Sequence, residues 1–316
     1  MAAKAGRTIG SINLKNMFTP ILSRLFFADK WNIGYVFQST EDFISLEALQ
    51  NINWLKEDTS LYAADPFVLV KNAKIYIFYE DLRKTFSNGK INVIQDLSFT
   101  TKKNVSGLST CGHMSYPYIF QEGNDVYCIP ETSSLKEVRL YKFTNDHFTE
   151  VSPCAVLIEG QEFIDTSIFK YQDRYWLVTS VKGQPQNNYI YYSSKLAGPY
   201  KAHKLNPLPA DETGGRGAGS VFMSNGKLYR PTQNTKVRYG YSVIINRIDS
   251  LTTKSYSTKP IFEIRPKKPY NRGVHNISFA DNLIVFDGKR AIFSPFMPLA
   301  KLLKRCRYYS NRLFKN

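Results

Sequence analysis

A unit of about fifty residues recurs five times along this 316-residue chain. Each unit has a small or polar opening, an apolar strand, a polar turn and a second strand rich in aromatic residues. The units begin at residues 65, 116, 165, 217 and 273, so their starts are 51, 49, 52 and 56 residues apart. That interval holds four short strands with their turns, which is the content of one propeller blade. The sequence therefore predicts an all-β fold, a single five-bladed β-propeller, with an ordinary β-sandwich as the alternative.

Turn chemistry supports this assignment, because glycine, asparagine and aspartate separate the paired strands. The predicted turns are Glu122-Gly123-Asn124, Gln172-Asp173 and Ser224-Asn225-Gly226. Further strands are expected at residues 138–141 and 189–192. Residues 33–36 are expected to form a strand that closes the last blade from the N-terminal side.

Composition excludes several classes of protein. Hydrophobic residues make up 43% of the chain, enough for a core without disulfide or metal support. No run of 18 apolar residues is present, so no membrane-spanning helix is expected. The histidines include no HExxH motif and the cysteines no CxxC pair, so we predict no metal, no cofactor and a reducing cytoplasm. The four cysteines are scattered, at Cys111, Cys128, Cys154 and Cys306.

Positive charge is concentrated at the two ends of the chain. Residues 1–28 carry four basic side chains and residues 288–316 carry eight, with no acid in either stretch, which accounts for 12 of the net +16. Both ends also show apolar residues at helical spacing. We therefore predict a basic amphipathic segment over 1–30, the propeller over 31–290 and a basic amphipathic helix over 291–316.

Basic amphipathic helices commonly bind anionic membrane surfaces. The membrane contacts predicted here are Lys301, Lys304, Arg305 and Arg307. The alternative is that the two ends pack against the propeller or a partner subunit. No nucleic-acid partner is predicted, because the positive charge does not extend over the aromatic propeller face. The expected location is the cytoplasmic face of the cell membrane.

The opening residues of the five units are the candidate functional residues, since the innermost strands of a propeller converge at the channel mouth. Asp65, Tyr116, Asp165 and His275 open four units, Arg216 precedes the fourth, and Glu131 follows the second strand of unit two. Taken singly, each aspartate also fits a turn or cap, and His275 also fits a core histidine. Their shared repeat position favours a functional role for Asp65 and Asp165. The glycine-rich loop 212–220 lacks the Gly-Lys-Ser/Thr ending of a P-loop, so we expect it to present Arg216 rather than bind a nucleotide.

Short phrases spread over residues 31–290 carry a family resemblance. They resemble the five-bladed propeller of glycoside hydrolase family 43 and, more closely, the N-terminal propeller of plant glucosamine inositolphosphorylceramide transferases and its stand-alone bacterial relatives. The predicted substrate contacts are His113, Tyr116, Arg216, Arg230, Gln233, Tyr241 and His275. The phrases are Ala64-Asp65-Pro66-Phe67, His113-Met114-Ser115-Tyr116-Pro117, Ile129-Pro130-Glu131-Thr132, Asp165-Thr166-Ser167-Ile168-Phe169, Gly198-Pro199-Tyr200, Tyr229-Arg230-Pro231-Thr232-Gln233 and Tyr239-Gly240-Tyr241.

The hydrolase pattern is matched in part. By resemblance, Asp65 takes the place of the general base and Asp165 that of the aspartate that tunes the pKa values. The general acid has no counterpart, because unit four opens with Gly217 preceded by Arg216, and an arginine keeps its proton. Glu131 or Glu212 would replace it only if the fold brings one of them to the site.

This departure favours a transferase, because an anionic leaving group needs charge stabilisation more than a proton. The predicted function is a glycosyltransferase of bacterial surface polysaccharide or glycolipid synthesis, with a sugar-phosphate donor and a carbohydrate acceptor. Asp65 would be its base, and Arg216 and Arg230 its phosphate contacts. The alternatives are a family 43 glycosidase and a non-catalytic carbohydrate-binding propeller.

Overall fold

The structure, a computed structural model, describes residues 25–83, 87–109, 112–208, 214–299 and 302. Residues 30–290 form one compact unit, and the described residues before and after it belong to a second unit. Among the described residues, no helix is long and apolar enough to cross a membrane.

Five antiparallel sheets of four strands each make up the larger unit, which confirms the five-bladed propeller. Blades one and two follow the chain in order: β3 (Tyr62–Lys71), β4 (Lys74–Leu82), β5 (Lys90–Gln95) and β6 (Ser98–Asn104), then β7 (Ser115–Glu122), β8 (Asp125–Glu131), β9 (Glu137–Phe143) and β10 (Val151–Glu159). A short 3₁₀ helix, Ser133–Leu135, joins β8 to β9. Blades three and four continue the order: β11 (Phe163–Tyr171), β12 (Arg174–Val181), β13 (Gln184–Ser193) and β14 (Lys201–Ala202), then β15 (Phe222–Ser224), β16 (Lys227–Asn234), β17 (Ser242–Leu251) and β18 (Tyr256–Ile264).

Blade five is built from both ends of the chain. It contains β19 (Ile277–Ala280) and β20 (Leu283–Phe293), followed by β1 (Phe27–Phe37) and β2 (Asn53–Trp54). The predicted closing strand at 33–36 lies within β1, and the strands predicted at 138–141 and 189–192 lie within β9 and β13. Helix α1 (Thr40–Leu46) lies between β1 and β2. The residue before it, Ser39, caps its N-terminus, because the Ser39 hydroxyl accepts a hydrogen bond from the Asp42 amide. The buried Phe43 of α1 packs on Phe222 and Phe279, so the helix fills the space between blades four and five.

The innermost strands of blades one to three share a backbone feature that positions the site. Each contains a β-bulge, and at each bulge one residue adopts a left-handed conformation: Asp65 (φ 51°), Tyr116 (φ 44°) and Asp165 (φ 51°). A bulge adds one residue to a strand and redirects its side chain. Left-handed backbone at a non-glycine residue costs about 1–3 kcal/mol, so it persists only where the surroundings enforce it. The repeat therefore places the same bulge, with nearly the same backbone conformation, at three equivalent positions of the channel.

The termini require one correction. Lys289 and Arg290, which the charge count assigned to the basic C-terminal stretch, belong to the propeller. Lys289 is buried, with its ammonium over the ring of Trp31, and Arg290 donates two hydrogen bonds of 2.8 Å to Glu57. Lys301, Lys304, Arg305 and Arg307 lie outside the described residues.

Candidate functional site

Asp65, His275 and Asp287 form a buried charged row at the channel. His275 places Nε2 3.5 Å from Asp65 Oδ1 and Nδ1 2.6 Å from Asp287 Oδ2. Asp287, which is fully buried, also accepts hydrogen bonds from the backbone amides of Asp65 (3.1 Å) and His275 (2.8 Å). Blade five thus fixes both the ring of His275 and the backbone that carries Asp65.

The row is tuned for proton exchange near neutral pH. Burial raises the pKa of Asp65 to about 6, with the His275 charge opposing and the Asp287 charge reinforcing this rise. Burial lowers the pKa of His275, but the Asp287 and Asp65 carboxylates outweigh it, and the net change is upward. The row therefore places a histidine with a raised pKa between Asp65 and Asp287.

An aromatic frame surrounds this row. Trp31 stacks on the His275 ring at 4.2 Å, and Tyr239 meets the same ring edge-on at 5.4 Å. The Lys289 ammonium lies 4.8 Å from the Trp31 ring centre and donates to the Tyr239 carbonyl at 3.0 Å. Tyr239 is 50% exposed, so it forms the edge that faces solvent. Aromatic faces of this kind suit the apolar faces of sugar rings.

A second charged pair stands beside the first. The Arg216 Nε pairs with Asp165 Oδ2, and the Arg216 guanidinium lies over the Tyr239 ring at 4.9 Å. Gln233 donates to Asp165 Oδ2 at 3.4 Å and to the Gly217 carbonyl at 2.9 Å. Tyr239 therefore contacts both His275 and Arg216 and joins the two halves of the site. Among the described residues, the two terminal nitrogens of Arg216 have no hydrogen-bond partner, so they are available to a ligand.

Gly217 explains why no acid opens the fourth unit. A Cβ atom at this position would lie 2.8 Å from the Asp165 carbonyl oxygen and 3.3 Å from the Tyr116 hydroxyl. Real Cβ atoms essentially never come so close to backbone, so the position excludes every side chain. The absence of the hydrolase acid is thus built into the backbone, and Arg216 is the adjacent functional group.

The fold nevertheless brings other carboxyl groups to the channel. Glu131 Oε2 accepts from the Asp165 amide at 3.1 Å, and burial raises the pKa of Glu131 well above its usual range, with Asp165 adding to the rise. Glu80 is buried, and burial together with the Asp65 charge raises its pKa too. His113 lies 3.4 Å from Glu80 and is about half exposed. Both glutamates therefore hold a proton more readily than an exposed glutamate does.

Three of the predicted site residues have other roles. Tyr116 is 1% exposed, and its hydroxyl contacts Ser167 and both backbone groups of Gly219, so it forms the floor beneath the site. Its amide donates to Asp65 at 3.2 Å and orients that carboxylate. Arg230 is 2% exposed and donates to the carbonyls of Gly214 and Gly215. It holds the loop that presents Arg216, so it is not placed to bind phosphate. Tyr241 packs under the Arg238 guanidinium at 5.0 Å, and Tyr239 occupies the site instead.

A cation site is conceivable at the charged row, since Asp65, His275 and Asp287 offer ligand atoms that all lie within 4.8 Å of one another. A metal needs a neutral imidazole, however, and both carboxylates favour the imidazolium. The 2.6 Å separation of His275 and Asp287 also leaves no room for an ion between them. These residues fit a bound proton better than a bound metal.

Sequence reasoning missed four site residues: Trp31, Glu80, Tyr239 and Asp287. One had a usable signal, because Glu80 pairs with Ala64 as Glu131 pairs with Ser115, so the two glutamates are repeat equivalents. Asp287 had a weaker signal, an acid directly following the apolar run 283–286.

Comparison with known proteins shows which family the chain belongs to. Residues 52–272 match the family described as glucosamine inositolphosphorylceramide transferase 1, N-terminal. The rice (Oryza sativa subsp. japonica) glucosamine inositolphosphorylceramide transferase 1 is 33% identical over 211 residues, which is 64% of this chain and 28% of that protein. The Arabidopsis thaliana protein of the same name is 28% identical over 206 residues, 62% of this chain and 27% of that protein. The chain thus spans little more than a quarter of the length of these relatives.

Solved structures show the same fold. An exo-β-1,3-galactanase from Clostridium thermocellum aligns with a TM-score of 0.50 at 13% identity. The alignment covers 66% of this chain and 53% of the galactanase chain. At that identity the likeness concerns the fold alone.

Proposed function

The chain belongs to the family of the N-terminal region of glucosamine inositolphosphorylceramide transferase 1, and we propose that it is itself a glycosyltransferase using a sugar-phosphate donor. Its pathway in this proposal is bacterial surface polysaccharide or glycolipid synthesis. The observation that carries the proposal is Arg216, which stands beside a glycine closed to any acid. An arginine fixed on Asp165 and Tyr239 suits an anionic leaving group.

In this reaction Asp65 is the base. Its carboxylate takes the proton of the acceptor hydroxyl, whose oxygen forms the new bond to the anomeric carbon. The bond from that carbon to the phosphate oxygen breaks, and the phosphate leaves with the electron pair. The free nitrogens of Arg216 stabilise the negative charge on the leaving phosphate, so no acid has to protonate it.

Binding of the sugars falls to the exposed edge of the site. Tyr239, which is half exposed, lies at this edge, and His113 lies at the rim beside Glu80. The basic C-terminal residues Lys301, Lys304, Arg305 and Arg307 hold the enzyme on an anionic membrane, at its cytoplasmic face, in the same proposal. Vesicle co-sedimentation with all four changed to glutamine tests that part, and binding that is unchanged at low salt refutes it.

The reaction is tested by a donor screen with mass-spectrometric detection of products. We expect transfer from one class of sugar phosphate or sugar nucleotide, loss of at least a hundredfold in Asp65→Asn, and a comparable loss in Arg216→Gln. Asp249→Asn, which changes a surface carboxylate paired with Arg247, is the matched control. Full activity in Asp65→Asn would refute its role as base. Sugar binding without turnover of any donor would assign the chain to the non-catalytic alternative.

One observation favours a second candidate, a glycoside hydrolase. Burial raises the pKa of Glu131, which lies beside Asp165, and hydrolysis requires a protonated and an ionised carboxyl group together. Release of the phenol from aryl glycosides, lost in both Glu131→Gln and Asp65→Asn, would establish this activity in place of the transferase.

A further inference from the structure

A cleft of about 190 Å³ opens between blades four and five, apart from the polar site. Its walls are mostly apolar and include Leu49, Ile52, Trp54, Tyr270, Val274 and Phe286. Trp54 stands at the centre of these walls, 4.2 Å from the Tyr270 ring and 5.3 Å from the Phe286 ring. A cavity of roughly 150 Å³ with apolar walls is enough to bind benzene, so this cleft has room for a larger hydrocarbon.

Two polar side chains of the cleft, Tyr270 and Glu263, are already engaged by the protein. The Tyr270 hydroxyl donates to Glu57 at 2.6 Å and accepts from Asn32 at 2.8 Å. Glu263 accepts from Asn234 at 2.9 Å and pairs with Arg265 at 2.8 Å. A sugar in this cleft would lose hydrogen bonds to water and find few replacements, whereas a hydrocarbon would lose nothing. The lining therefore selects an apolar occupant.

The cleft and the charged row share one wall. Val274 lines the cleft, and the next residue, His275, pairs with Asp65. Asp287 itself lines the cleft, between Phe286 and Gly288, and its carboxylate pairs with His275. The wall is one backbone layer thick, so a molecule in the cleft lies next to the catalytic row.

We propose that this cleft binds the hydrocarbon tail of the acceptor, which makes the acceptor a glycolipid rather than a free polysaccharide. That the tail belongs to an acceptor rests on the proposed transferase function, but binding of the tail does not depend on catalysis. Three acidic residues, Glu47, Glu263 and Asp287, and two basic residues, Arg265 and Lys267, line the cleft. Because Asp287 is paired with His275, the other four balance in charge. Binding therefore follows chain length and not headgroup charge.

Tryptophan fluorescence provides a direct test on the full chain. The protein has three tryptophans, and Trp31 and Trp176 are each 2% exposed, so a brominated chain in the cleft quenches Trp54 selectively. The probe is brominated dodecyl maltoside below its micelle concentration. We expect saturable quenching, and competition by unbrominated alkyl maltosides whose affinity rises about fourfold per added CH₂ until the cleft is full.

Two variants make the assignment specific. Ala48→Phe places a ring into the cleft and should weaken probe binding at least tenfold. Leu46→Phe, at a 55% exposed position that does not line the cleft, should bind the probe as the wild type does. Should Ala48→Phe fail to fold, the chain-length series on the wild type decides alone. Quenching that does not saturate, or that is equal for short and long chains, overturns the proposal.

The test separates this proposal from the proposed function. Saturable quenching without turnover of any donor keeps the lipid site and refutes the transferase. Transfer that is equally efficient to a soluble glycan and to its alkyl glycoside, without quenching, keeps the transferase and refutes the lipid site.

Discussion

Replacing Asp65 by asparagine should stabilise the protein at neutral pH while abolishing its activity. The pKa of Asp65 rises from an ordinary 3.8 to about 6 in the folded protein. The folded state therefore holds the Asp65 proton more tightly than the unfolded state, and stability falls as pH rises from about 4 to about 6. Above pH 6 both states are ionised, and the folded state carries a cost of about 3 kcal/mol, from two pKa units at 1.36 kcal/mol each.

The amide removes this cost without leaving a buried group unpaired. Its oxygen accepts from the Tyr116 amide, as the Asp65 carboxylate does at 3.2 Å. Its nitrogen faces His275 Nε2, 3.5 Å from the carboxylate in the native protein. Loss of the Asp65 charge favours the neutral imidazole, whose Nε2 accepts from this nitrogen. The imidazole keeps its Nδ1 proton toward Asp287.

The measurement is thermal unfolding at pH 4 and pH 7.5. At pH 7.5 we expect Asp65→Asn to raise Tm by roughly 5 °C, and at pH 4 to leave it nearly unchanged. Asp125→Asn is the control, because Lys142 lowers the pKa of that surface carboxyl group and its removal should not stabilise the fold. If Asp65→Asn were less stable than the wild type at pH 7.5, Asp65 would be a structural carboxylate, and its assignment as base would lose its support.

Three further predictions follow from the site. kcat/KM should rise with pH to a plateau, with its midpoint near the pKa of about 6 of Asp65, because the base must be ionised; a flat pH–rate profile across that range contradicts this. Gly217→Ala should displace the Asp165 backbone, lowering stability by roughly 1–3 kcal/mol and removing activity, and unfolding in urea together with the donor assay measures both. Arg230→Met should leave the Gly215 carbonyl without this donor and the Gly214 carbonyl with Asn188 Nδ2 as its remaining donor, and destabilise the fold by about 2–4 kcal/mol; an unchanged urea midpoint would show that this guanidinium does not hold the loop.

The repeat made most of the fold predictable. Its period set the number of blades, and the segment at 33–36 indicated how the chain closes. Because the repeat aligns residues in three dimensions, it also placed Asp65 and Asp165 at equivalent positions, where the structure shows the same bulge with nearly the same φ.

The rest of the site depends on contacts between blades that no single unit encodes. Trp31 reaches His275 only because the first strand joins the last blade. Tyr239 contacts Arg216 from a loop whose path no turn signal specifies. Arg230 was predicted to bind phosphate because the sequence does not show that its guanidinium is buried. The choice between Tyr239 and Tyr241 depended in the same way on the direction of side chains in a loop.

The charge of the site bears on the choice between the two reactions. A glycosidase passes through a positively charged oxocarbenium-like state, and a fixed cation beside that state opposes it. In a transfer from a sugar phosphate, negative charge develops on the leaving oxygen, and the same cation lowers its energy. Arg216 is paired through Nε alone among the described residues, so Asp165 orients it and leaves two nitrogens for a ligand. Glu131 supplies an acid for hydrolysis, but it does so beside this cation. The arginine therefore favours transfer, and the glutamate keeps hydrolysis as the alternative to be tested first.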